Sequence, residues 1–194
     1  MPVSEAMREI LWVPESGVGM EHLRLHVDAA SVVAGGRVFG SAEGASYELH
    51  YEVYCDGDWC SRRVRVDLLA PRQAQHEITS DGGGHWVDGK GNHIAALEGC
   101  VDVDLSVTPF TNTLPIRRLP WKPGQARELE MAYVRLPAFE LSRARQRYTC
   151  LSRDEDGARF LYESIPSGFR AEIVTDADGI VVSYPRFARR LWSL

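Results

Sequence analysis

Glu98-Gly-Cys-Val-Asp-Val-Asp-Leu-Ser-Val-Thr-Pro-Phe-Thr-Asn-Thr-Leu-Pro-Ile-Arg-Arg-Leu119 opens as a half-buried strand. Val101, Val103, Leu105 and Val107 alternate with Asp102, Asp104 and Ser106, the period-two pattern of a sheet with one face on a core. The stretch then becomes a loop dense in hydroxyl, amide and proline residues and closes on Arg117 and Arg118. Two carboxylates two positions apart on a strand share one face, roughly 7 Å from each other. In that arrangement Asp102 and Asp104 suit either an acid–base pair or a set of acceptors for sugar hydroxyls. Thr111 and Asn112 bring further donors and acceptors to the same place. The same residues also have a structural reading. Asp102 and Asp104 then pair with arginines such as Arg62 and Arg118, and Thr111-Asn112-Thr113 satisfies the backbone of a turn.

Working outward, alternation recurs along the chain. Tyr47, Leu49, Tyr51, Val53 and Cys55 alternate with polar residues, as do Val64, Val66 and Leu68, and Leu129, Met131 and Tyr133. Ala171 and Ile173 lead to Asp178-Gly179, after which Ile180, Val182 and Tyr184 resume the pattern, a hairpin signal. Helical patterns are scarce, the candidates being Glu140 to Arg147 and Arg186 to Trp192. These features predict a mainly β protein, an antiparallel β-roll or half-barrel with few short helices, rolled so that few edges stay open. The chain reads as one domain over 1–194. A loose echo between the Tyr51-Glu52 and Tyr162-Glu163 regions leaves room for two similar repeats, roughly 1–120 and 121–194.

Composition narrows the function. The net charge of −5 disfavours a nucleic-acid partner, whose binder would be basic. No run reaches the ~20 apolar residues of a membrane-spanning helix. Met1 to Leu11 contains Glu5, Arg8 and Glu9 and lacks a hydrophobic signal core, so a cytoplasmic location is expected. Cys55, Cys60, Cys100 and Cys150 complete no zinc-site spacing and read as free thiols. The six histidines are scattered, so no metal site and no cofactor are expected. Gly-x-Ser-x-Gly and His-Glu-x-x-His are absent, and the Gly82-Gly83-Gly84 run lacks the lysine and helix of a phosphate loop. No catalytic residue is assigned.

Three further residues attract attention. Arg62 falls by parity with Val64 and Val66 on the apolar side of its strand, where a guanidinium needs an acid such as Glu21 or a polar cavity. Trp59, after Asp56-Gly57-Asp58, offers a ring that stacks on sugars or acyl chains, and Trp86 offers a second. If Arg117 and Arg118 are extended, they point to opposite faces and only one addresses the site.

Taken together, Leu11-Trp12 with Gly19 and Glu21, Tyr47 to Tyr51, Asp58-Trp59-x-x-Arg62 and Gly84-x-Trp86 form a recognisable series. It continues through Gly99-Cys100-Val-Asp102-Val-Asp104-Leu105, Thr108 to Arg118, Gln146-Arg-Tyr148 and Asp178-Gly-Ile-Val to Tyr184-Pro185. Almost end to end, the chain resembles the bacterial family named putative glycolipid-binding. The resemblance implies an antiparallel β-roll of two similar repeats, reminiscent of envelope carriers that hold acyl chains in a half-barrel. The expected function is non-enzymatic binding of an amphipathic small molecule, a glycolipid or acyl-chain ligand. Glu21, Trp59, Arg62, Asp102, Asp104, Thr111, Asn112 and Arg117 are the candidate binding residues. The rival expectation is a hydrolase or isomerase acting on a sugar or lipid through Asp102 and Asp104.

Overall fold

Alternating apolar residues drive nearly the whole chain into strands, and in the computed structural model, which describes residues 6–15, 17–42 and 44–194, these join in one sheet. Glu5 of the N-terminal reading lies outside the described residues. The first half supplies β1 (Ala6–Pro14), β2 (Gly19–Val27), β3 (Ser31–Ala42), β4 (Ala45–Asp56), β5 (Ser61–Ala70), β6 (Ala74–Ser80) and β7 (Trp86–Asp88). The second supplies β8 (Asp102–Leu105), a short helix α1 (Thr113–Arg118), β9 (Ala126–Arg135) and β10 (Glu140–Arg153). It ends with β11 (Gly157–Ser164), β12 (Arg170–Asp176), β13 (Val181–Tyr184) and β14 (Ala188–Ser193). Single 3-10 turns at Ala95–Leu97 and Phe110–Asn112 flank β8.

The strand order is β7-β6-β5-β4-β3-β2-β1-β14-β13-β12-β11-β10-β9-β8. Two antiparallel meanders thus meet where β1 pairs with β14, and the sheet stays open, with β7 and β8 at its edges. β8 breaks the antiparallel rule by lying parallel to β9, with Asp102 opposite Met131 and Leu105 opposite Val134. The inward faces of the first meander form a core with residues of β8, α1 and β9, including Val103, Leu105, Leu114, Ala132 and Val134. A second cluster of Ile116, Trp121, Tyr148, Phe160, Tyr162, Ile173 and Tyr184 lies over the other meander. The segment from Ile94 to Trp121 therefore fills the concave side of the half-barrel. Across the open seam, the His76 ring of β6 stacks on Phe139 of the β9–β10 turn at 4.2 Å.

Four local expectations need correction. The strand beginning near Val101 ends at Leu105, and both its faces are covered, because β8 lies inside the roll with β5 close on its far side. The Thr108–Arg118 loop is instead a 3-10 turn running into α1, so Arg117 and Arg118 do not alternate as extended residues do. Glu140 to Arg147 belongs to β10. There Arg143, Arg145 and Arg147 pair with Glu130 and Glu128 of β9, while Gln146 and Tyr148 face inward. Tertiary pairing overrides the helix preference of that arginine-rich run. Arg186 to Trp192 likewise feeds β14, held between β1 and β13.

Gly36 shows how tightly the first meander packs. It sits opposite Tyr51 in register, and a Cβ added there would lie 2.2 Å from the Tyr51 ring. The ring cannot swing away, since it is fully buried and its hydroxyl is bonded within the core. Gly36→Ala should therefore cost about 1–3 kcal/mol in urea unfolding. At neighbouring Gly35 the nearest atom to a new Cβ is 3.6 Å away on His50, so Gly35→Ala should stay within about 0.5 kcal/mol. Equal costs at both positions would contradict this packing.

Candidate functional site

Buried polar side chains concentrate where the Ile94–Trp121 segment meets the sheet. Glu21 shares the inward face of β2 with Leu23 and Leu25 and is 4% exposed. Its Oε1 accepts hydrogen bonds from the Tyr51 hydroxyl at 2.5 Å and the Thr108 hydroxyl at 2.6 Å. Thr108 also takes the Phe110 amide at 3.0 Å, which ties this cluster to the turn after β8. Glu21 Oε2 is buried without a hydrogen-bond partner. Burial is the dominant influence on this carboxyl and lifts its pKa from 4.5 to about 7 against the two hydroxyl bonds.

A second cluster centres on Asp104. Its Oδ1 accepts from the Thr111 hydroxyl at 2.9 Å and its Oδ2 from the Gln146 amide at 2.6 Å. Thr111 in turn accepts the Leu105 amide, and Asn112 Oδ1 accepts from the Tyr148 hydroxyl at 2.8 Å while its amide donates to Pro109 O. Desolvation raises the Asp104 pKa despite its two donors. Tyr162 and Tyr184 are pushed well above the usual phenol range, first by burial. Tyr162 and Tyr184 therefore stay neutral at physiological pH and present hydroxyls rather than charges.

Two adjoining cavities open beside these clusters. The larger, about 520 Å³, is walled by Asp104, Asn112, Gln146, Tyr133, Tyr162 and Tyr184, with Arg143 and Arg186 among its lining. The smaller, about 220 Å³, is walled by Trp12, Val13, Val38 and Val107 together with the polar groups of Glu21, Ser41 and Tyr47. Ser106, Arg186 and Phe187 line both. Thr108 borders the large chamber and Glu21 the small one, so their hydrogen bond runs between the two. The small chamber carries Val18, Met20 and Phe39 on its lining, all exposed to solvent.

Of the residues singled out from sequence, Glu21, Asp104 and Asn112 reach these chambers. Thr111 sits behind Asp104 as its donor. Asp102 is buried and held by Arg118 through a two-pronged pair, Nε to Oδ1 at 3.0 Å and Nη2 to Oδ2 at 2.7 Å. Arg117 lies over the Trp59 ring, 5.1 Å from its centre, so these two residues engage each other. Trp59 itself caps the β4–β5 turn with φ at 67°. Arg62 does not reach Glu21. A bulge between the Cys55–Ser61 and Tyr54–Arg63 pairs resets the parity, so Ser61 points inward and Arg62 turns toward Asp56 and the Asp81 carbonyl. Tyr133, Gln146, Tyr162, Tyr184 and Arg186 went unrecognised as site residues. For Gln146 the sequence carries a signal, a polar residue in phase with buried Tyr148 and Cys150.

The buried Glu21 carboxyl gives a defined pH signature. Between pH 4.5 and about 7 the unfolded chain ionises this group while the folded chain keeps it protonated, so folding takes up a proton. The sign follows: stability present at low pH is lost as pH rises through that window, by about 3 kcal/mol in all. Urea unfolding at pH 5 and pH 8 should show this loss in the native sequence and a much flatter profile in Glu21→Gln. Parallel profiles would place the titration elsewhere.

No curated protein matches the chain. Among solved structures it is similar to a DUF1089 family protein from Pseudomonas aeruginosa, determined by crystallography at 1.80 Å resolution. The two share 34% identity and a TM-score of 0.78, over 92% of this chain and 95% of that one. Residues 9–190 match the family model described as putative glycolipid-binding. With nearly its whole length matched and its fold shared, the chain belongs to that family.

Proposed function

We propose that this protein binds an amphipathic small molecule of the glycolipid class without transforming it, using the two adjoining chambers. One observation carries the reading: two adjoining chambers of mixed lining share Ser106, Arg186 and Phe187, the larger offering Asp104, Asn112, Gln146 and three tyrosines, the smaller opening on exposed Val18, Met20 and Phe39. A polyhydroxyl head seats in the large chamber, with Asp104 and Asn112 at its wall and the neutral tyrosines offering both donors and acceptors. The acyl part passes Ser106 and Phe187 into the small chamber and leaves along the apolar rim. Glu21, which lines the small chamber, and Thr108, which lines the large one, are joined by a hydrogen bond where the two meet. The family description supports the same ligand class.

The rival reading, a hydrolase or isomerase using Asp102 and Asp104, draws no support from the arrangement. Asp102 is committed to Arg118 and Asp104 to Thr111 and Gln146, so the two carboxyls serve different partners rather than one reacting centre. No helix among the described residues is long and apolar enough to cross a membrane.

Octyl glucoside and octanoate, titrated calorimetrically, separate the head-group and chain contributions. Asp104→Asn and Tyr133→Phe should each weaken octyl glucoside severalfold more than octanoate, with folding checked by circular dichroism. Equal losses for the two probes, or none, would remove the large chamber from head-group recognition.

A further inference from the structure

The Gly84-x-Trp86 and Gly99-Cys100 motifs take no part in the chambers, yet they build a compact platform at the free edge of the sheet. Gly84 and Gly99 cross closely: the Gly99 amide donates to the Gly84 carbonyl at 2.9 Å, and a Cβ on Gly84 would lie 2.7 Å from the Gly99 backbone. Trp86 is fully buried and its indole donates to Cys100 O at 2.7 Å. The Ile94 amide returns to Trp86 O at 2.8 Å, and Asp88 holds the amides of Lys90 and Asn92. Leu97, buried in the core, anchors the 3-10 turn just before Glu98.

Three side chains converge on this platform. His93 Nε2 lies 2.7 Å and His85 Nδ1 3.4 Å from the same oxygen, Glu98 Oε2. All three atoms fall within 4.8 Å of one another, and the imidazoles stack at 4.6 Å. Donors around a tetrahedral Zn²⁺, at bond lengths of about 2.0–2.2 Å, stand roughly 3.3 Å apart. The observed spacing brackets that value, so small rotations of exposed side chains suffice to close the set. Two imidazoles and one carboxylate are the donor types that favour a borderline divalent transition ion over the oxygen-seeking Mg²⁺ and Ca²⁺. The nearby Arg143 guanidinium is occupied by Glu130 and by the Glu98 backbone carbonyl, which it helps to fix.

We infer that His85, His93 and Glu98 form a surface site for a divalent transition ion of the Zn²⁺ type, with its remaining positions open to water or an outside donor. The buried anchors on either side pre-position the three ligands, which lowers the ordering cost of binding. An ion held there staples the edge strand β7 to the turn that leads into β8.

Zn²⁺ titrated calorimetrically into untagged, chelator-treated protein tests the site. The native protein should bind one equivalent at micromolar affinity and show no heat with Mg²⁺. His85→Ala, His93→Ala and Glu98→Gln should each weaken binding roughly tenfold or more. His22→Ala serves as the control, since His22 also faces a carboxylate, Glu9, on the surface. Hydrogen exchange over residues 84–99 should slow on Zn²⁺ addition in the native protein alone. Absence of Zn²⁺ binding by the native protein would overturn the inference. Undiminished binding by the folded His85→Ala/His93→Ala double variant would overturn it equally.

Discussion

An open sheet of fourteen strands has a concave face that must be filled, and one segment, Ile94 to Trp121, fills it. Its cost is polar backbone and side chains carried into the interior, where each unpaired group costs roughly 1–3 kcal/mol. The surrounding residues follow from that constraint. Ser61 receives the Val103 amide at 3.0 Å, Thr111 receives Leu105, and Arg118 meets Asp102. The Trp121 indole donates to Pro115 O at 3.1 Å and closes the end of α1. The Thr-Pro-Phe-Thr-Asn-Thr run is dense in hydroxyl and amide groups chiefly because it must be self-sufficient inside a roll. The chambers are the space that this segment leaves, so their walls combine its own polar groups with the apolar and tyrosine faces of the strands.

Period-two alternation made most strands legible, because an inward face buried on one side writes itself into the chain. It failed where an interaction outside the strand set the conformation. At Arg62 a single bulged residue inverted the parity and exchanged the roles of Arg62 and Ser61. At Glu140 to Arg147 a run of good helix formers became a strand, because Glu128 and Glu130 on β9 face its arginines. At Asp102 and Asp104 alternation correctly marked a strand but could not reveal that both of its faces are covered.

The site was legible in part for the same reason. Asp104 and Asn112 stand in the stretch quoted first, whereas Glu21 enters the reading as a partner for Arg62, a pairing the structure does not make. The tyrosines of the large chamber could not, since Tyr133, Tyr162 and Tyr184 resemble ordinary core residues until three separate strands bring them to one wall. The convergence of His85, His93 and Glu98 was equally hidden, because no regular spacing links them. It arises from the backbone crossing at Gly84 and Gly99.

The central claim is that the chambers beneath the Ile94–Trp121 segment hold an amphipathic molecule. Gentle purification followed by native mass spectrometry, with organic extraction of the same sample and an unrelated β-protein as control, tests it most directly. The account predicts a stoichiometric mass increment that is released by solvent and contains both an acyl chain and a hydroxyl-rich head. A protein that flies at its bare sequence mass, with an extract matching the control, would contradict it.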